Sequence, residues 1–142
     1  MPNLFVKNMV TRDGMRSGNC ILVAASDALY VFPAYTRGRG LIGELGNQLG
    51  GVSKTIAALA QGKYSCRAID VPQKYRSDPA WPKSKDDAVI LAIPRADGSL
   101  RHPKFSNELH LHFGTAKLKL SYPWFSHGKL FAHLRECGWT IN

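Results

Sequence analysis

The sequence predicts an α+β domain in which strand patterns dominate, one helical pattern is inserted after the first strands, and a second helix closes the chain. Three stretches carry this reading. Two β-rich runs, Asn19 to Ala25 and Ala28 to Phe32, flank the polar pair Ser26-Asp27, which is a hairpin pattern. Leu109, Leu111 and Phe113 alternate with His110 and His112, and Gly114-Thr115 leads into Ala116 to Leu120, where Lys117 and Lys119 alternate with apolar residues. That is a half-buried antiparallel pair. Near the C-terminus Leu130, Phe131, Leu134 and Cys137 fall at i, i+1, i+4 and i+7 between Ser126, a good N-cap, and Gly138, a good stop.

The remaining elements follow in order. Leu4, Phe5 and Val6 suggest a short first strand. After the hairpin comes a bridge, Thr36-Arg37-Gly38-Arg39-Gly40, and then Leu45, Leu49, Val52, Ile56 and Leu59 recur on one helical face. Gly43, Gly46, Gly50 and Gly51 in that segment imply close packing against another backbone or a break, and Gly62 is placed to cap it. Tyr64, Cys66, Ala68 and Ile69 to Val71 read as a strand. Pro72 to Lys85 holds three prolines with Asp78, Trp81 and several lysines, an exposed loop. Ala88 to Ile93 is an apolar strand, Ala96-Asp97-Gly98-Ser99 a hairpin turn, and Leu100 to His102 the start of the return. Trp139 is expected to pack back on the fold. A chain of 142 residues, 44% hydrophobic and 20% charged, buries about two thirds of its unfolded surface without disulfide or metal staples. Residues 1–142 are therefore expected to form a single domain.

The assembled picture is a strongly curved antiparallel sheet or small open barrel, covered at one end by the C-terminal amphipathic helix with Phe131 and Leu134 inward. The hairpin with Leu29-Tyr30-Val31-Phe32, the Gly-rich helix, the Ile69-Asp70-Val71-Pro72 strand end, the Asp97-Gly98 hairpin and the terminal helix together resemble bacterial PH-like and GRAM-like domains. The resemblance spans most of the chain and lies in the order of elements. It implies recruitment to an anionic membrane surface or to an acidic protein partner.

Charge points the same way. Nineteen Lys and Arg against ten Asp and Glu give a formal +9, a field that attracts nucleic acid, anionic lipid and acidic proteins alike. The basic residues form no tail. Met1 to Val10 carries Lys7 in its middle and lacks an apolar run, which argues against a cleaved secretory signal. The longest uncharged stretches, Gly18 to Ser26 and Thr55 to Gly62, fall far short of the roughly 20 residues a spanning helix needs. Cys20, Cys66 and Cys137 are odd in number and share no metal-ligand spacing, so reduced thiols in a cytoplasmic protein, peripheral to the membrane at most, are expected.

Leu49-Gly50-Gly51-Val52-Ser53-Lys54-Thr55 resembles the deviant P-loop of ParA-type ATPases, but Leu49 stands where that family has lysine and Ser53 where it has glycine. Nucleotide binding through Gly50 to Thr55 is accordingly a further alternative only. Glu108, His110 and His112 share a strand face with chelating geometry, and His102 is able to approach from the neighbouring strand; a polar face alternating with buried Leu109, Leu111 and Phe113 is the simpler account, so no metal is assigned. No nucleophile, base and orienting group converge. A non-enzymatic binding module without a cofactor is the result. Its expected contacts are Lys117 and Lys119 beside the histidines, and a second basic cluster, Lys74, Arg76, Lys83 and Lys85, around Trp81. A nucleic-acid-binding module is the alternative, disfavoured because the alternating strands present His and Lys rather than stacking aromatics.

Overall fold

The computed structural model describes residues 5–13, 16–33, 56 and 58–142, with side chains over 20–32, 56 and 58–142. Eight strands, β1 (Phe5–Asp13), β2 (Arg16–Ala24), β3 (Ala28–Pro33), β4 (Ser65–Arg67), β5 (Val89–Pro94), β6 (Gly98–Arg101), β7 (Glu108–Phe113) and β8 (Ala116–Ser121), are joined by two helices, α1 (Gln73–Arg76) and α2 (His127–Glu136). The strands pair antiparallel in the order β4-β5-β3-β2-β1-β8-β7-β6, so the domain is α+β. The predicted β2–β3 and β7–β8 pairs are present, with Val23 opposite Tyr30 and Leu111 opposite Leu118.

Several predicted elements are corrected. The first strand runs to Asp13 and pairs with β2 along its whole length, Phe5 opposite Ala24 to Asp13 opposite Arg16; its polar residues hide this from an apolar pattern search. Only Ser65–Arg67 of the Tyr64 to Val71 segment is strand. Ala68–Asp70 coils into a 3-10 turn, braced by Arg67 Nε donating to Asp70 Oδ2 at 2.9 Å. The Ala96 to Ser99 turn is not a hairpin, because β5 pairs with β3 and β4 while β6 pairs with β7. Of the inserted Gly-rich helix only Ile56, Ala58 and Leu59 are described, all helical; the rest, with Gly50 to Thr55, Arg37 and Arg39, lies outside the described residues.

The link between β5 and β6 shapes the sheet. These strands occupy the second and eighth positions, so in a flat sheet six spacings of about 4.8 Å would separate them by roughly 29 Å. Residues 95–97 join them, and from Pro94 to Gly98 the chain spans at most about 14 Å. The sheet therefore bends back on itself. Among the described residues no strand pairing closes it into a barrel.

Bending creates an inner and an outer face. Cys20, Leu22, Leu29, Val31, Leu91, Ile93, Leu100, Leu109, Leu111, Leu118 and Leu120 point inward, where Leu130, Phe131 and Leu134 of α2 complete one core with Trp139. Trp139 does pack back, its Nε1 donating to Ala25 O at 3.2 Å. Gly138 makes the turn at φ +90, a conformation side chains other than glycine's rarely adopt. Ser126 precedes α2 as expected but makes no side-chain cap.

On the outer face Val23, Tyr30, Phe32 and Ile90 form a second cluster with Val71 and Tyr75. The segment predicted as an exposed loop is thus a lid on this half of the sheet, its one-turn helix α1 burying Tyr75 completely. Removing that ring, Tyr75→Ala, is expected to cost about 3–5 kcal/mol, in line with large aromatic truncations in cores. Denaturant unfolding measures it. A loss under about 1 kcal/mol would mean that the segment is not docked.

Candidate functional site

Strand alternation puts Leu100, Leu109, Leu111, Leu118 and Leu120 in the core and so turns the intervening residues of β6, β7 and β8 outward. The register then aligns charge across strands. Arg101 lies opposite His110, His110 opposite Lys119, and Lys119 opposite register position Arg12 of β1. In the adjacent row Ser99 faces His112 and His112 faces Lys117. Lys117 and Lys119 therefore share a face with His110 and His112, as the alternation predicts.

Like charges placed directly across a sheet destabilise it, yet the compensating acid here is limited. Glu108 Oε1 accepts from His110 Nε2 at 3.2 Å, and Arg101, Lys117 and Lys119 are exposed and form no ion pair with another described residue. Burial, followed by the Lys117 charge, His110 and Arg101, holds the His112 imidazole below its ordinary pKa. His110 Nδ1 and the Ser121 hydroxyl are buried on the same face without a hydrogen-bond partner among the described atoms. No group of three or more His, Cys, Asp or Glu side chains among the described residues is arranged to hold a metal ion.

The second expected cluster is divided. Arg76 Nε donates to Val71 O at 2.7 Å and so ties the lid together, and Lys74 Nζ stands 5.0 Å over the Tyr75 ring. Lys83 and Lys85 are exposed. Trp81 is half-buried, edge-on to Tyr30 at 5.8 Å and to Phe32 at 5.1 Å. Its indole pins the lid to β3, and membrane contact through it would require undocking.

Three other aromatics are the ones displayed. Phe105 is 100% exposed, Phe125 84% and Trp124 65%. They sit in the β6–β7 connection and in the 3-10 turn Trp124–Ser126 that leads into α2. Sequence reasoning passed over them, although the strings Pro103-Lys104-Phe105-Ser106 and Pro123-Trp124-Phe125 set bulky aromatics beside prolines and outside any strand period. Beneath them a polar cluster ties the two segments. Tyr122 N donates to Asn107 O at 2.9 Å and Asn107 Nδ2 to Tyr122 O at 3.0 Å, while the buried Tyr122 hydroxyl lies 2.8 Å from both His102 Nε2 and His127 Nδ1.

No protein-family model matches this chain, and comparisons with curated proteins and with solved structures likewise return no match. The site is read from its own geometry. That geometry provides cations and displayed aromatics and withholds reactive thiolates: burial pushes the Cys20 thiol up to about 12 and raises Cys66 and Cys137 as well, so at neutral pH all three stay protonated.

Proton NMR of the histidine rings checks the charge row. His112 should titrate below an isolated imidazole, and Lys117→Gln should move it partway back up, since burial, the largest cause, remains. An unmoved titration would show that Lys117 does not face this ring.

Proposed function

We propose that the protein is a non-enzymatic binding module that seats its basic sheet face on an anionic membrane surface. The observation that carries the reading is the transverse row Arg101, His110, Lys119, continued in register by Arg12, with Lys117 beside it. Arg101, Lys117 and Lys119 gathered on one face repel one another and are relieved when a plane of negative charge meets them, each Lys or Arg contributing about 1 kcal/mol at an anionic lipid surface. The described outward side chains of these strands offer no aromatic platform for bases, which favours lipid over nucleic acid. In this reading the bend is strong, as in PH-like domains, with α2 covering the inner side; the three-residue β5–β6 link and the core shared by both arms support it. Among the described residues no helix is long and apolar enough to cross a membrane, and the association proposed is peripheral.

Co-sedimentation with phosphatidylcholine vesicles, with and without phosphatidylserine, tests the proposal at low and physiological salt. Binding is expected only with the anionic lipid, weakening with salt. Replacing Lys117 and Lys119 together by Gln should reduce it roughly thirtyfold, about 2 kcal/mol for two lysines, without lowering the melting temperature. Binding that competing oligonucleotides abolish would transfer the face to nucleic acid, and absence of vesicle binding would reject the reading.

A further inference from the structure

We propose that Phe105, Trp124 and Phe125 form an interfacial anchor that inserts into the bilayer at the headgroup–acyl boundary and fixes the depth and tilt at which the basic face rests. The inference depends on the membrane reading above and adds its mode of attachment.

Displayed aromatics have several ordinary explanations, and their placement decides among them. All three residues leave the sheet at one end, because Arg101 is the last residue of β6, Glu108 the first of β7 and Ser121 the last of β8. Phe105 holds φ +59, a left-handed conformation that a bulky side chain rarely takes, and there its ring is entirely exposed. The turn that imposes this is built from hydrogen bonds: Ser106 Oγ donates to Pro103 O at 2.8 Å and accepts from Glu108 N at 3.3 Å. The Trp124–Ser126 turn is closed by Ser126 N donating to Pro123 O at 2.9 Å. Cross-ties between Asn107 and Tyr122 hold the two turns to each other. The aromatic side chains therefore project from a braced platform.

Charge around the platform names the occupant. Lys104 and Lys129 are exposed beside the aromatics, and the Arg101–His110–Lys119 row begins two strand residues behind Glu108 and Ser121, about 7 Å back. Trp and Phe forward with a cationic band one headgroup layer behind is the arrangement of proteins lying at a membrane interface. An apolar groove of a protein partner, or a second copy of this chain, would meet the aromatics but leave the cationic band opposite nothing anionic.

The test uses the full chain and phosphatidylserine-containing vesicles with bromine on the lipid acyl chains. Trp81 and Trp139 are packed in the fold, so bromine quenching of tryptophan fluorescence reports Trp124, and Trp124→Phe should remove the quenching while the protein still binds. Phe105→Ser with Phe125→Ser changes only exposed side chains; it should leave the melting temperature in place and lower vesicle affinity by about tenfold or more. Vesicle binding without quenching, together with an affinity of the double variant within about twofold of the parent, would overturn the anchor and leave the basic-face reading standing. Failure to bind anionic vesicles at all would remove both. Concentration-dependent self-association that the double variant abolishes would assign the aromatics to a second copy and overturn the anchor.

Discussion

The corner at residues 95–97 is the constraint on which the rest of the structure depends. A link this short between the second strand and the far edge strand forces the sheet to bend, and the bend sets the ends of both arms against one core. The corner is held from several sides. Arg95 N donates to Asp27 O at 2.8 Å, joining it to the β2–β3 turn, and Arg95 Nη1 donates to Cys137 O at 2.9 Å, satisfying a carbonyl at the end of α2. Lys63 pairs with Asp97 at 3.0 Å. Gly98 is packed so closely that a Cβ there would lie 2.8 Å from Ile93 Cγ2 and 3.2 Å from the Trp139 ring. One short connection thus settles the bend, the docking of the C-terminal helix and the seat of Trp139. The C-terminal residues complete the arrangement along β6, where His102 N donates to Asn142 O and Asn142 N to Leu100 O, partly covering an edge that would otherwise be open to pairing.

The outer side of the sheet is divided by this geometry into two unlike halves. On β2, β3 and β5 it is apolar, and the chain covers it with Val71, Tyr75 and Trp81. On β6, β7 and β8 it is charged, and Arg101, Lys117 and Lys119 remain exposed. The half that needed covering received a lid, and on the half that repels itself Glu108 is the acid in contact among the described residues. That contrast is the physical ground for looking to the second half for a binding surface. It also explains why Trp81 and Arg76, attractive in a bare sequence, serve the lid: each finds its partner on the apolar half.

Legibility in the sequence followed local period. The β2–β3 and β7–β8 hairpins and helix α2 were readable because each rests on contacts a few residues apart, and the Lys117–His112 and Lys119–His110 pairings followed from alternation once the turn at Gly114-Thr115 was placed. What failed was non-local. Ile69 to Val71 has strand composition yet coils so that Val71 reaches the Tyr75 cluster, a gain no window of residues reveals. Asp97-Gly98 has hairpin chemistry, yet β5 and β6 part company: both edges of β5 are taken by β3 and β4, and β6 pairs with β7. At the candidate site the lysines were visible from the alternation. Phe105, Trp124 and Phe125 were not, since exposure is set by how neighbouring turns are tied down rather than by residue type.

Those ties also carry a direction. Ser106 O lies 2.9 Å from His102 Nε2, and a carbonyl only accepts, so Nε2 bears the hydrogen and offers it toward Ser106 O and the Tyr122 oxygen alike. The single hydroxyl hydrogen of Tyr122 then has two acceptors within reach, His127 Nδ1 at 2.8 Å and Ser106 O at 3.4 Å, the nearer of them on α2. The cluster thus links the β6–β7 connection to α2. The platform beneath the exposed aromatics is held by these hydrogen bonds as well as by packing against Phe131, whose ring lies 4.9 Å from His102 and 4.2 Å from His127. A backbone held this way has little further freedom to lose on contact with a surface, so the ordering cost of engaging the exposed rings is confined to their own rotamers.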